Sequence, residues 1–370
     1  MKLSEIVDRI NGNVDRFTTD LEYYIGGEHI DSCELEITRG GNLKENLGKL
    51  GFKFHFAFQD RDVIFMARNP HLRKAGMVMF SGLCSDASYI LRSKDENIIT
   101  QEFLAVQLQS DHFWDYCERT KVGSVNFANN WTSIANYEFD LPSIDKQKKI
   151  AKKVWAAYNL KKSYRKLLSA TQEMVKSQFI EMFGNPVANN KGWSTMALKQ
   201  VAPEEPSRER QTGTVWILNL DMIESHTGKI IDKVYDEDTN LLSVAPFDEG
   251  NVLYSKLRPY LNKVVIPKGK GYATTELVPL RPNQECLNLT FFSHLLRGDD
   301  FVTYANTISS GTKMPRMPLN DLRNFQCILP PMEEQLKFEK VAEQADKSEF
   351  ELRKSIEAID QVIKSLINNQ

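Results

Sequence analysis

The sequence predicts an α+β protein built twice over: two globular parts of mixed α/β structure, related by internal duplication and joined by two long antiparallel coiled-coil helices. Three observations carry this expectation. The chain matches itself at a shift of 188–189 positions. Each copy closes with a long run whose apolar residues recur at alternating steps of four and three, the seam of a coiled coil. The two runs carry opposite charge, which favours pairing one with the other over pairing either with itself. A chain of 370 residues has room for about two domains of roughly 100–200 residues each, and the repeat is far too long for a solenoid.

The self-similarity is ordered along the chain. A shift of 188 positions pairs Gly123 with Gly311, Asn136 with Asn324, Leu141-Pro142 with Leu329-Pro330, Gln147 with Gln335, and Lys176-Ser177 with Lys364-Ser365. A shift of 189 pairs Pro70 with Pro259, Leu72 with Leu261, Lys74 with Lys263, and Leu91-Arg92 with Leu280-Arg281. Further upstream, Ile30-Asp31-Ser32 is similar to Ile223-Glu224-Ser225. The expected parts are a first globular domain over 1–140, a helix over 141–184, a second globular domain over 185–328 and a helix over 329–370.

Val63-Ile64-Phe65-Met66-Ala67 is a strand-like apolar run in the first domain. Lys263-Val264-Val265-Ile266-Pro267 is another such run in the second domain, stopped by proline. Gly40-Gly41 and Gly269-Lys270-Gly271 mark turns, and amphipathic helices are expected at 102–108 and 290–296. After Leu141-Pro142 a helical pattern runs through Ile150, Val154, Ala157, Lys161, Tyr164, Leu168, Thr171, Val175, Gln178 and Met182. Gly184-Asn185-Pro186 ends it. Phe338, Ala342, Ala345, Glu349, Leu352, Ile356, Ile359, Ile363 and Leu366 keep the same rhythm in the second run. The first helix is rich in lysine and the second in glutamate. Lys161 and Glu349 are the charged members of the two seams and hold equivalent positions. Antiparallel packing should bring them together as a helix–helix pair, the alternative being that each snorkels out of its seam separately.

Charge is nearly balanced, 47 Lys+Arg against 49 Asp+Glu for a net of −2. That excludes a chain basic throughout but leaves room for a nucleic-acid-binding face. The five cysteines are scattered and form no C-x-x-C, which favours reduced thiols over disulfides or structural zinc. No apolar leader segment follows Met1-Lys2-Leu3-Ser4-Glu5 and no apolar run reaches membrane length, so a cytoplasmic protein without membrane contact is expected. The six histidines form no ligand-spaced cluster, and no P-loop, G-x-G-x-x-G, H-E-x-x-H or G-x-S-x-G carries chemistry here. Asn69-Pro70-His71 lacks the second proline and the glycine-rich loop of an amino-methyltransferase site. No catalytic residue, metal site or cofactor is expected in this chain, and binding or organisation is favoured over catalysis.

The stretch Leu253-Tyr254-Ser255-Lys256-Leu257-Arg258-Pro259-Tyr260-Leu261-Asn262-Lys263 resembles the signature of specificity (S) subunits of type I restriction–modification systems. So do Ser309-Ser310-Gly311-Thr312-Lys313-Met314-Pro315-Arg316, the helix lead-in Leu329-Pro330-Pro331-Met332-Glu333-Glu334-Gln335, and Phe179-Ile180-Glu181-Met182-Phe183-Gly184-Asn185-Pro186. The resemblance covers the whole chain and is sharper in the second half. It implies two target recognition domains, each reading one half of a bipartite site in double-stranded DNA, with the helices setting the gap. It also implies two methyltransferase (M) subunits docked on the helices, which carry S-adenosylmethionine and the adenine chemistry, and restriction/motor (R) subunits that can join. The S subunit itself would be non-catalytic. The first half departs from the pattern, reading Met66-Ala67-Arg68-Asn69-Pro70-His71-Leu72-Arg73-Lys74, with Ser124-Val125-Asn126-Phe127 after Gly123. The two domains should therefore read different sequences. The competing readings are a non-enzymatic coiled-coil scaffold without DNA sequence specificity, and an enzyme with an unfamiliar site.

Sequence readout needs side chains that reach base edges, whereas phosphates need cations or backbone amides. The DNA-binding candidates of the second half are Lys256, Arg258, Tyr260, Asn262 and Lys263 around a proline turn, with Thr312, Lys313 and Arg316 on a glycine loop. Their first-half counterparts are Arg68, His71, Arg73, Lys74 and Lys121. The competing reading of each is a solvated loop cation, or for Tyr260 a core aromatic.

Overall fold

Short β-branched and aromatic runs, each stopped by glycine or proline, build the sheets of both globular parts. A computed structural model of the chain describes residues 1–209, 211–237, 243–311 and 313–369. The chain divides into two units, Met1–Lys166 with Arg353–Gln370, and Leu167–Leu352, so each long helix contributes to both.

In the first unit a five-stranded sheet runs in the order Val7–Ile10, Ser88–Ser93, Val63–Met66, Ala75–Val78, Glu36–Ile37. All its pairings are antiparallel except the last. A four-stranded sheet orders Gly41–Asn42, Tyr23–Ile25, Gly82–Ser85 and Phe54–Phe58, with the middle pair parallel. The helices Gln101–Gln107 and Asp111–Thr120 are started by Thr100 and Ser110, whose hydroxyls accept from the Phe103 and Phe113 amides. Phe65, Phe103, Phe113, Trp114 and Tyr137 form the buried centre where these helices meet the larger sheet.

The second unit repeats the plan. Val264–Val265, Val252–Ser255 and Leu277–Leu280 form an antiparallel sheet. A four-stranded sheet orders Val234–Glu237, Thr214–Leu218, Gly271–Thr274 and Val244–Phe247, again with a parallel middle pair. Gly82 and Gly271 hold equivalent places in these parallel pairs. A Cβ would stand 2.6 Å from Tyr23 O in one and 2.7 Å from Trp216 O in the other, so only glycine lets the strands approach. Helices Leu289–Arg297 and Asp299–Ile308 match 101–107 and 111–120. The matching extends to side chains. Gln147 and Gln335 are each fully buried, and each side chain accepts one amide hydrogen and donates to two carbonyls at its own helix lead-in. Duplication is thus a property of the fold.

The central helix spans Ile144–Phe183 and the C-terminal helix Met332–Asn368. In the first unit Val154 and Tyr158 cluster with Ile363 and Ile367. In the second unit Phe179 and Phe183 pack on Phe338, with Val175, Ala342 and Ala345 in the same cluster. Early residues of one helix meet late residues of the other in both units, so the pairing is antiparallel. The expected Lys161–Glu349 pair does not form. This register puts Asp360 beside Lys161 and Gln172 beside Glu349. Neither charge snorkels: Lys161 is 4% exposed and Glu349 6%. Each is satisfied inside its own unit, Lys161 by Glu34 and Asp360, Glu349 by Lys229 and Gln172.

Candidate nucleic-acid interface

Pro259 opens a short 3₁₀ turn, Pro259–Leu261, flanked by Arg258 and Asn262 in the left-handed region with φ of 50° and 48°. That backbone costs a non-glycine residue on the order of 1 kcal/mol, and local hydrogen bonds hold it. The Arg258 amide donates to Pro315 O at 2.7 Å and the Asn262 amide to Pro259 O at 2.8 Å. The glycine loop lies against this turn. Leu257 bridges to Arg316, and Arg316 to Ser310, around Gly311 at φ +104°. Two segments far apart in sequence thus form one surface. Tyr260, Lys313 and Met314 are exposed on it, and Lys313 has no ion-pair partner among the described residues. Arg316 is exposed and holds Glu276, Nη2 to Oε1 2.8 Å. Lys256 and Arg258 are half-buried. The Arg258 Nε is a buried donor without a hydrogen-bond partner among the described residues.

The first half builds the same surface from different side chains. Asn69 and Arg73, φ 53° and 49°, flank the turn Pro70–Leu72. The Asn69 amide donates to Phe127 O at 2.9 Å. Arg68 bridges to Ala128, and Ala128 to Val122, around Gly123 at φ +106°. Arg68 and His71 are exposed. Lys121 binds Glu118 at 2.5 Å and stands 4.6 Å from the Phe127 ring centroid.

Several candidates have structural partners instead of open faces. Asn262 is corrected to an internal strut: it is 4% exposed, and its side-chain amide donates to Arg297 O at 2.8 Å. A left-handed residue turns its side chain inward here, away from any ligand. Lys263 and Lys74 each reach back into their own domain, Nζ 2.6 Å from Leu220 O and 2.6 Å from Gly27 O. Arg73 is drawn to Asp111 at 2.6 Å. Thr312 lies outside the described residues. Sequence reasoning missed the apolar tips beside the cations, Met314 and the 84% exposed Val125. The signal lay in the departure at Gly123-Ser124-Val125, where a cation gives way to an apolar side chain.

Among the described residues, no helix is long and apolar enough to cross a membrane. Residues 1–168 match the family described as the type I restriction modification DNA specificity domain. The type I restriction enzyme EcoDI specificity subunit of Escherichia coli is 26% identical over 188 residues, covering 49% of this chain and 41% of that protein. The match therefore spans about two-fifths of that relative's length. The S subunit of a type I restriction–modification system from M. genitalium superposes with a TM-score of 0.55 at 11% identity, covering 99% of this chain and 94% of its own. A chain from a structure of type I R-M complex assembly and conformational transition gives a TM-score of 0.55 at 18% identity, covering 99% and 95%. At these identities the two structures share a fold with this chain.

Proposed function

We propose, from the match of residues 1–168 to the type I restriction modification DNA specificity domain, that the chain reads DNA sequence on behalf of a methyltransferase complex. Each globular part would contact one half of a bipartite site in double-stranded DNA. The paired helices would set the gap and dock two methyltransferase subunits, with S-adenosylmethionine and the methyl transfer in those partners and none of the chemistry in this chain. Motor and nuclease subunits could join the same assembly. The domain limits fitting this division are 1–140, 141–184, 185–328 and 329–370.

The observation that supports this reading is the surface built twice from a proline turn and a glycine loop. Main-chain bonds fix its backbone, and its exposed tips differ between the copies: Tyr260, Lys313, Met314 and Arg316 in one, Arg68, His71, Leu72 and Val125 in the other. Cations suit phosphates and guanine edges, and apolar tips suit thymine methyl groups. A rigid backbone with unlike tips is what two different half-sites call for.

Co-expression with a type I methyltransferase subunit from the same genome, followed by mapping of modified adenines, tests the reading. One bipartite motif, absent when this chain is omitted, is the expected result. No chain-dependent methylation and no DNA binding by the complex would leave the helical scaffold standing instead. Within a working complex, Lys313→Ala should weaken DNA binding and reduce the slope of log K against log salt by about 0.9, the value for one phosphate contact. An unchanged slope would remove Lys313 from the contacts.

A further inference from the structure

Where the globular parts meet the helices, Lys161 and its equivalent under the 188-residue shift, Glu349, carry opposite charge. In the first unit the buried Lys161 binds Glu34 at 3.1 Å and Asp360 at 2.5 Å. Arg165 adds a bond to Glu34 at 2.8 Å and Lys162 one to Glu36 at 2.5 Å. Burial alone would raise the Glu34 carboxyl. The Arg165 hydrogen bond and the Lys161 charge outweigh it and hold the group below its ordinary range. In the second unit the equivalent of Lys161 is Glu349, bound by Lys229 and by Gln172 at 3.3 Å. Gln172 is itself the equivalent of Asp360.

The loops on the globular side differ as well. Glu34 and Glu36 follow the left-handed Cys33, while Thr227 and Lys229 follow the left-handed His226. The two loops are seated alike, since Glu34 O accepts from Gln109 Nε2 at 3.0 Å and Thr227 O accepts from Arg297 Nη1 at 2.9 Å. On that seat Glu36 and its counterpart Lys229 carry opposite charge, while Glu34 is matched by the uncharged Thr227.

A duplicated chain of this kind can mispair. Residues 167–180 and 355–368 are equivalent stretches of the two helices, so the central helix of a second copy offers the first unit nearly the stripe that the C-terminal helix supplies. We propose that the differing charge sets at these seats, Lys161 with Glu34 and Asp360 in the first unit against Glu349 with Lys229 and the neutral Gln172 in the second, are pairing determinants that exclude this exchange with a second copy of the chain. Exchange would set Gln172 of a second copy beside Lys161, which loses a carboxylate, and Asp360 beside Glu349, which puts two carboxylates in one seam. Side-chain size acts in the same sense. Val175 and Phe179 cluster with Phe338 and Ala342, whereas their equivalents Ile363 and Ile367 cluster with Val154 and Tyr158.

The double variant Gln172→Asp with Asp360→Gln reverses the preference: the native pairing then carries the carboxylate clash and the exchanged pairing carries the ion pair. Both positions are part-exposed helix sites, so the fold should persist. Full-length chains bearing two different tags are co-expressed and captured through one tag. The double variant should bring down at least about tenfold more of the second tag than the natural sequence does, a change in preference of about 1.4 kcal/mol. A folded double variant with co-capture at the natural level overturns the proposal. Should the double variant lose its helical circular dichroism, Asp360→Gln alone is read in the same way. Raised co-capture by that single variant supports the proposal, and the natural level at natural helicity overturns it.

Discussion

Replacing Gln335 by leucine should destabilise the second unit by on the order of 4 kcal/mol, and Gln147→Leu should do the same to the first. The Gln335 side chain is fully buried; its oxygen accepts from the Asn288 amide at 2.8 Å and its nitrogen donates to Cys286 O at 3.0 Å and Pro330 O at 2.8 Å. Leucine nearly conserves volume, so the cavity contribution is small and the loss is polar. Each buried main-chain group left without a partner costs about 1–3 kcal/mol. The effect spreads beyond one residue because of what the glutamine joins. Asn288 caps helix Leu289–Arg297, and Pro330 stands just ahead of the C-terminal helix. Loss of the side chain therefore loosens the helix start from the globular part. Hydrogen exchange of amides in each unit reads the two variants separately, since a chain of two units need not unfold in one step. Protection that survives unchanged in 289–297 after Gln335→Leu would refute the assignment.

Exchanging residues 1–140 for those of a family relative should change one half of the modified motif completely, leaving the other half and the gap as they were. The structure adds a condition on the donor. Lys161 and Arg165 both rest on Glu34, and Lys162 rests on Glu36, so the incoming domain must present carboxylates at those two places. A donor without them leaves Lys161 buried with Asp360 alone, at a cost of about 3 kcal/mol, and the hybrid should be recovered poorly whatever its recognition loops. Adenine mapping of matched and unmatched hybrids separates the two effects. A matched hybrid in which both half-sites changed would rule out one domain per half-site.

The plan of this fold was legible because duplication doubles every signal. Gln147 and Gln335, or Pro70 and Pro259, are each unremarked alone, but the constant shift marks them as places where two folds need the same residue. Proline before each long helix and glycine after the first are stop signals in the sequence, and the helices run Ile144–Phe183 and Met332–Asn368. The register between the helices was not legible. Periodicity tells which face is buried, whereas the axial offset is fixed by how Phe179, Phe183 and Phe338 stack in space. Periodicity alone therefore matches Lys161 with Glu349, whereas in the fold Lys161 holds Asp360 and Glu349 holds Lys229. The candidate site was half legible. Composition drew attention to the right turn and loop, but a lysine bonded to a carbonyl inside its own domain, as Lys263 and Lys74 are, has the same letter as one waiting for a phosphate. Nor does sequence show that the turn and the glycine loop are bridged, because the bonds joining Arg258 to Pro315 and Asn69 to Phe127 are between main-chain atoms.

Those main-chain bonds bear on how such a protein changes over generations. The left-handed turns of Asn69 and Arg73, and of Arg258 and Asn262, owe their shape to amides, prolines and internally bonded side chains. The outward tips at Arg68, His71, Tyr260 and Lys313 carry little of that duty. A lineage can therefore drift at the tips one codon at a time without passing through an ancestor that fails to fold.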